Sequence, residues 1–347
     1  MMQRLFSHHV GLWLARRKSA LRPDLWLAYL PIVLRLLSFS DLDLARWDAC
    51  VAASPGALPY VQAWWLAATA GRWAAVVELG PQGDYRSLLP LPCKWRPWGR
   101  VAYQPLFTQQ LGLVLTADSQ HRDLQDYLAL AAKSVVRFYQ QLTPAALPLP
   151  ALPAGFVPAE RLTYLLDLST TYAAIYKSYL TGCRRRLRNN QALAQPLLVQ
   201  EGNDLEVLIA LFLTYRGEAH TGLRPSHYQL LRRLFSALQS RKMAELREVR
   251  HPATGELLAG ALFVRHAGGL IYLFAATSPA GRAASAPILL IDDALRRYAG
   301  QPGQMFDFEG GSIPAIGRFF ANFGATPVPY PILTLTHYPW FLRWMRP

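Results

Sequence analysis

The chain has 347 residues, which suits two domains or one large domain with a sizeable core. Apolar residues make up 52% and charged residues 17%, a globular balance, and no uncharged apolar run is long enough to serve as a spanning helix. The formal charge of +14 draws polyanions without choosing among nucleic acid, phosphorylated cofactors and an anionic membrane face, while three scattered cysteines (Cys50, Cys93, Cys183) exclude zinc spacing and a disulfide framework and point to a reducing cytoplasm.

Residues 1–31 form a basic, apolar extension. Arg16, Arg17 and Lys18 interrupt its apolar stretch, so it reads poorly as a signal peptide. It reads instead as a segment packed on the core, an over-long start or an amphipathic stretch touching a membrane. "IVLRLLS" (32–38) predicts a strand, and "DLDLARWDACVAA" and "ALPYVQAWWLAATAG" predict helices, the second closed by Gly71. Trp64 and Trp65 read as core. Three strands follow: "RWAAVVEL", "YRSLLPLP" and "RVAYQPLF". A long helix is expected over 120–142, with Leu124, Tyr127, Leu128, Ala131, Val135 and Phe138 on one face. The proline-rich stretch 143–158 reads as a linker.

The second half repeats this order of elements. "RLTYLLDLS" (161–169) predicts a strand and the next segment a basic helix. "NDLEVLIALFLTYRG" predicts a helix with a capping-box-like start at Asn203 and Glu206 and a close at Gly217, which leaves Arg216, Glu218 and His220 at its end. "SHYQLLRRLFSALQ" predicts another helix. "AELREVR", "ELLAGALFVR" and "GLIYLFAAT" form a three-strand meander. A helix is expected after Pro287, a strand at "MFDFEGG", a helix at "IPAIGRFFANFG" and a last strand at "YPILTLTH". The domain boundaries expected are therefore 32–150 and 151–335, with a tail over 336–347.

Three stretches carry a family likeness. "YLLDLSTTYAAIYKSYLTGCRRRLRNNQAL", "AYQPLFTQQLG" and "FDFEGGSIPAIGRFFANFGA", set in the strand and helix order above, resemble the GNAT acyltransferases. The chain is most similar to the tandem-GNAT, FemA/FemX-like branch and its BioF2-like acetyltransferases. The resemblance implies an α+β fold: two tandem GNAT-like domains, each a mixed, mainly antiparallel sheet flanked by helices. It implies transfer of an acyl or aminoacyl group from a phosphate-bearing carrier, acyl-CoA or aminoacyl-tRNA, to an amine on a small molecule or cell-wall precursor. The donor pyrophosphate would lie on backbone N–H groups between Ser278 and Ala286, with Ser278, Gly281, Arg282 and Ser285 as donor-binding residues. Here the chain departs from the family's glycine-bearing Arg/Gln-x-x-Gly-x-Gly/Ala loop, since it offers Arg282-Ala283-Ala284-Ser285-Ala286-Pro287. The departure points away from simple acetyl-CoA. A monomer is expected, with no metal, either in the cytoplasm or held peripherally at the inner membrane face.

The candidate site residues have a reading of their own. On a strand, Asp307 and Glu309 share one face, where two carboxylates suit binding an ammonium group or taking its proton. Gly310 and Gly311 let the backbone turn or approach a ligand; an ordinary loop uses them equally. Tyr103, Gln104, Phe107 and Gln109 mix aromatics and amides suited to a sugar or peptide acceptor, and Tyr228 is expected to join them in a cleft between the domains. Lys177, Arg184, Arg185 and Arg188 form a basic run, with Arg184 and Arg188 four residues apart on one helix face. Such a run grips phosphate on a tRNA stem, a nucleotide or a lipid, or is a solvated face. The alternative function is a catalytically idle module of the same fold that binds nucleic acid or anionic lipid through its basic surface.

Overall fold

The computed structural model describes residues 33–221 and 223–337, with no side chains given for 216–222. The expected extension over 1–31 and the tail after His337 lie outside the described residues.

The first half runs β1 (Val33–Leu37), α1 (Leu44–Ala52), α2 (Ala63–Thr69), β2 (Trp73–Leu79), β3 (Tyr85–Arg96), β4 (Gly99–Ala102), β5 (Val114–Leu115), α3 (Leu124–Ala132) and β6 (Arg137–Gln141). Carboxylates start two of the helices. Asp43 accepts from the Ala45 and Arg46 N–H groups ahead of α1, and Asp123 accepts from Gln125 ahead of α3, satisfying donors that lack a partner in the first turn. The helix expected over 57–71 is divided: Pro59–Val61 forms a 3-10 turn, Gln62 is extended, and α2 begins after it.

Two expectations are corrected. The helix over 120–142 ends at Ala132, and Arg137–Gln141 is a strand. Val135 and Phe138 are buried as the helical period required, but the β-branched and aromatic run there favours a pleated, half-buried surface. The strand at "RVAYQPLF" stops at Ala102, because Pro105 has no N–H to give a ladder and Phe107 takes a left-handed φ of 56°.

The second half runs β7 (Val157–Asp167), α4 (Tyr172–Ser178), α5 (Thr181–Gln191), β8 (Val199–Glu201), α6 (Leu205–Thr221), α7 (Pro225–Ser240), β9 (Ala244–Arg250), β10 (Leu257–His266), β11 (Gly269–Thr277), α8 (Pro279–Ala283), α9 (Ala286–Tyr298), β12 (Met305–Asp307), α10 (Pro314–Ala321) and β13 (Thr326–Thr336). Helix α6 runs past Gly217 to Thr221, and Asp204, not Asn203, accepts from the Glu206 N–H at its start. Glu206 itself pairs with Arg232 of α7 at 2.6 Å. The side chains of Arg216, Glu218 and His220 lie outside those described.

The described strands form one mixed sheet in the order β1-β2-β3-β4-β6-β13-β7-β12-β11-β10-β9-β8, with β5 beside β3. Its pairings are antiparallel except for β4 with β6 and β11 with β12. Strand β13 comes last in the chain yet pairs with β6 of the first half on one side and β7 of the second on the other. The halves also share a core. Trp47, Tyr60, Trp65 and Trp73 from the first half join Leu208, Leu231, Leu262 and Ile271 from the second in one cluster. Helix α2 packs on α7, with the Arg241 guanidinium 4.6 Å from the Trp64 ring centre. Burying this shared apolar surface holds the two halves in a fixed relation.

Candidate active site

Strands β11 and β12 pair over only three rungs: Gly269 with Met305, Leu270 with Phe306 and Ile271 with Asp307. Beyond Asp307 the ladder ends and the strands part. Strand β11 continues beside β10 through Thr277, and its register shifts where Leu262 faces Phe274 and Phe263 faces Tyr272. Leu273 is therefore an extra residue, a bulge of the kind that bends a strand and frees backbone groups. Phe308 turns into the core at 0% exposure, against Phe306 and Phe320.

Asp307 and Glu309 flank this fork, but not as two residues on one strand face. The strand ends at Asp307, and Glu309 takes a left-handed φ of 45°. Asp307 Oδ1 accepts from Thr163 Oγ1 at 2.6 Å and from the Glu309 N–H at 2.9 Å. Burial lifts the Asp307 carboxyl to about 6 even though both hydrogen bonds favour its ionised form. Glu309 is half-buried, and its Oε1 accepts from the hydroxyl of the fully buried Tyr60. Desolvation lifts Glu309 to about 8; the Tyr60 hydrogen bond pulls the other way, and the Asp307 charge adds to the rise. A carboxyl held near neutrality in a cleft is suited to moving protons.

Each carboxylate faces its own hollow. Glu309 lines a cleft of about 480 Å³ between the outer half of β11, Phe308 and α10, with Arg282 and Pro287 also on its wall. Asp307 lines a cavity of about 650 Å³ between the α1–α2 connection and the inner end of the fork, with Gln62, Gln110, Thr163 and His266. Gly311, at φ 112°, passes so near Tyr164 that a Cβ would lie 2.4 Å from its ring, so this turn accepts no side chain. Gly310 has space around it but also takes a positive φ, 85°.

The segment 278–286 borders the cleft through Arg282. Ser278 is buried and caps α8 by accepting from the Gly281 N–H at 2.9 Å. A Cβ on Gly281 would sit 2.0 Å from the Leu258 carbonyl, so glycine permits α8 to lie against β10. Arg282 is exposed. Ser285, in a loop without glycine, takes a left-handed conformation at φ 62° and ψ 24°, directly after Ala284 at φ -78° and ψ 0°. The N–H groups here are engaged within the turn, Ala284 donating to the Ala280 carbonyl at 2.9 Å and Ser285 to the Arg282 carbonyl at 3.1 Å, so the pair shapes the entry to α9 and leaves Arg282 as the cation beside it.

The other expected residues are dispersed. Gln109 reaches Thr163 Oγ1 at 3.5 Å and so touches the Asp307 network. Gln104 bridges loop and strand, donating to the Thr108 carbonyl at 2.7 Å and accepting from the Gln141 N–H at 3.1 Å. Tyr103 carries Lys94 Nζ at 3.9 Å over its ring. Phe107 packs edge-on to Phe274, and Tyr228 is buried in the shared core near Phe212. Tyr103, Gln104, Phe107 and Tyr228 line neither hollow. Arg185 and Arg188 are exposed on α5, Lys177 is exposed on α4, and Arg184 is half-buried. None of the four has a carboxylate partner among the described residues. Two central residues escaped the sequence reading. Tyr60 lies 249 positions from Glu309, and Thr163 looked like an ordinary strand residue. No local pattern marks either one.

A fork between parallel strands, a bulge beside it and a helix head at its mouth define the GNAT fold. Residues 177–314 match the acetyltransferase (GNAT) domain family. The chain has the fold of FemX, with a TM-score of 0.59 at 13% identity over 84% of this chain and 96% of that one. It is similar to a tandem GNAT protein from the clavulanic acid biosynthesis pathway (TM-score 0.52, 15% identity, 88% and 99% covered). It is similar also to L-PGS from Bacillus licheniformis (TM-score 0.51, 12% identity, 87% and 95% covered). No curated protein matches the chain by sequence. Residues 177–314 are thus similar to the GNAT acetyltransferase domain, and the chain as a whole has the tandem GNAT fold of FemX. Among the described residues no helix is long and apolar enough to cross a membrane.

Proposed function

We propose that the protein is an N-acyltransferase that takes an acyl or aminoacyl group from a phosphate-bearing carrier in the β11–β12 cleft and passes it to an amine entering from the Asp307 side. The observation that carries this reading is the placement of two linked carboxyls at the fork, Glu309 in a hollow that also holds Arg282 and Asp307 in the neighbouring hollow.

Arg282 would hold the carrier phosphates at the head of α9, where the helix dipole favours anions; the Ala284 and Ser285 N–H groups are taken by the Ala280 and Arg282 carbonyls. Backbone N–H groups beside the Leu273 bulge would steady the acyl oxygen as it gains charge. Asp307 would hold the incoming ammonium. Glu309 would take its proton, since only the neutral amine can attack a carbonyl, and Tyr60 would fix the carboxylate that receives it. The amine nitrogen then bonds to the acyl carbon, the bond from that carbon to the carrier's sulfur or oxygen breaks, and the nitrogen's second proton passes to the departing sulfur or oxygen, which leaves as a thiol or hydroxyl. The run at Arg184, Arg185 and Arg188, with Lys177, would offer a second phosphate contact to a carrier as large as tRNA. Tandem domains divided near residue 150 would assign donor binding to the second half, with Tyr60 the first half's contribution to the site.

The test is a thermal-shift screen with coenzyme A, acyl-CoAs and aminoacyl-tRNA mimics, followed by mass detection of a new amide. A ligand specific to the native state raises the melting point. No shift with any carrier, and no amide from any pair, sinks the proposal.

A further inference from the structure

The cavity on the Asp307 side differs in charge from the molecule that contains it. The chain carries +14, yet among the described residues lining this hollow there is no lysine or arginine, and Asp307 is the one formal charge. His266 adds none at neutral pH: desolvation holds its imidazole below the ordinary value, and its Nδ1 accepts from the Gly268 N–H at 3.1 Å. Asp307 also has capacity to spare. Both of its hydrogen bonds fall on Oδ1, which leaves Oδ2 without a donor among the described residues. The rest of the wall is largely apolar, with Val51, Leu58, Leu165, Ile271 and Met305 prominent.

We propose that this cavity takes a primary amine whose only charge is its ammonium group and whose body is apolar. The proposal rests on the reading of the Asp307 side as the acceptor side. The ammonium would bond to Asp307 Oδ2, and the body would lie along the apolar wall. A second negative group on the acceptor, whether carboxylate or phosphate, would meet no cation and would lose its hydration without compensation. The two hollows thus divide the charges: the phosphate-bearing partner goes to the cleft with Arg282, and the singly charged amine goes to the cavity without arginine.

Calorimetry on the full chain tests this with butylamine, hexylamine, octylamine, hexanol and 6-aminohexanoate. Each methylene added to the amines should tighten binding by about fourfold while the cavity has room. Hexylamine should bind at least about tenfold more tightly than hexanol, as a charge-assisted hydrogen bond requires. It should exceed 6-aminohexanoate by a similar factor. Asp307→Asn should erase the advantage of hexylamine over hexanol while hexanol binds as before, which also shows that the cavity is intact. Ala57→Trp, in the half-buried α1–α2 connection, should weaken the whole series. A flat response to chain length, equal binding of 6-aminohexanoate, or an Asp307→Asn variant that keeps the amine preference would overturn the proposal. Binding of the series with no amide product would instead count against the transferase. Acyl transfer to amines outside this class, with the series unbound, would spare the transferase and remove the assignment.

Discussion

Glu309→Gln separates the chemistry of the fork from its stability, because the two should move in opposite directions. The folded carboxyl titrates near 8 against an ordinary value of 4.5. The unfolded chain therefore ionises first as pH rises from 4.5, and it binds fewer protons than the folded chain until about pH 8. Over that window the wild-type protein loses stability with rising pH. The difference, 8 minus 4.5, corresponds to a ceiling of about 5 kcal/mol at roughly 1.4 kcal/mol per pH unit. Glu309 is half-buried, so solvent screens part of this, and about 2 kcal/mol is the expected effect. Glutamine keeps an oxygen for Tyr60 to donate to but carries no charge. The variant should match wild type below pH 4.5 and exceed it by about 2 kcal/mol at pH 9, as read by urea melts across pH. Its turnover should fall by about a hundredfold, within the usual range for losing a general base. Equal pH dependence of stability in the two proteins would refute the claim that Glu309 is held protonated by its surroundings. Full turnover would remove it from the chemistry.

Three further outcomes are expected. Tyr60→Phe deletes the hydrogen bond that favours ionised Glu309, so the rising, acid-side limb of the pH–rate profile should move above 8 and turnover at pH 7 should fall about tenfold; an unmoved limb would show that Tyr60 only packs. Gly281→Ala drives a Cβ into the Leu258 carbonyl and should cost about 1–3 kcal/mol in a denaturant melt while weakening carrier binding, and a neutral melt would contradict the close approach of α8 to β10. Replacing Arg184, Arg185 and Arg188 together by glutamine should leave stability within about 0.5 kcal/mol. The same replacement should lower the salt slope for binding a tRNA acceptor-stem helix by about 2–3, and an unchanged slope would make the run a solvated face.

Local pattern carried much of this protein. The meander at β9–β11 and the amphipathic α7 and α9 follow from side-chain spacing. Chain order alone also put Asp307 and Glu309 at a strand end. Where spacing misled, a longer-range demand had overridden it. Val135 and Phe138 continue the apolar face of α3, yet β13 needed a partner strand there, and pairing with β13 satisfies backbone groups that burial would otherwise leave unpaired. The alternation that set Asp307 and Glu309 on one face failed because the strand stops between them.

Sequence by itself determined most of the helices and strands, though not the strand at 137–141, and that two carboxylates stand beside two glycines where a strand gives out. Only the tertiary structure brought Tyr60 to Glu309 and Thr163 to Asp307, turned the two acids toward different hollows, and seated the last strand between the halves. The reason is one of range: periodicity reports which face of an element is apolar, but which distant faces meet is decided by burying all of them at once, and that condition leaves no mark at any single position.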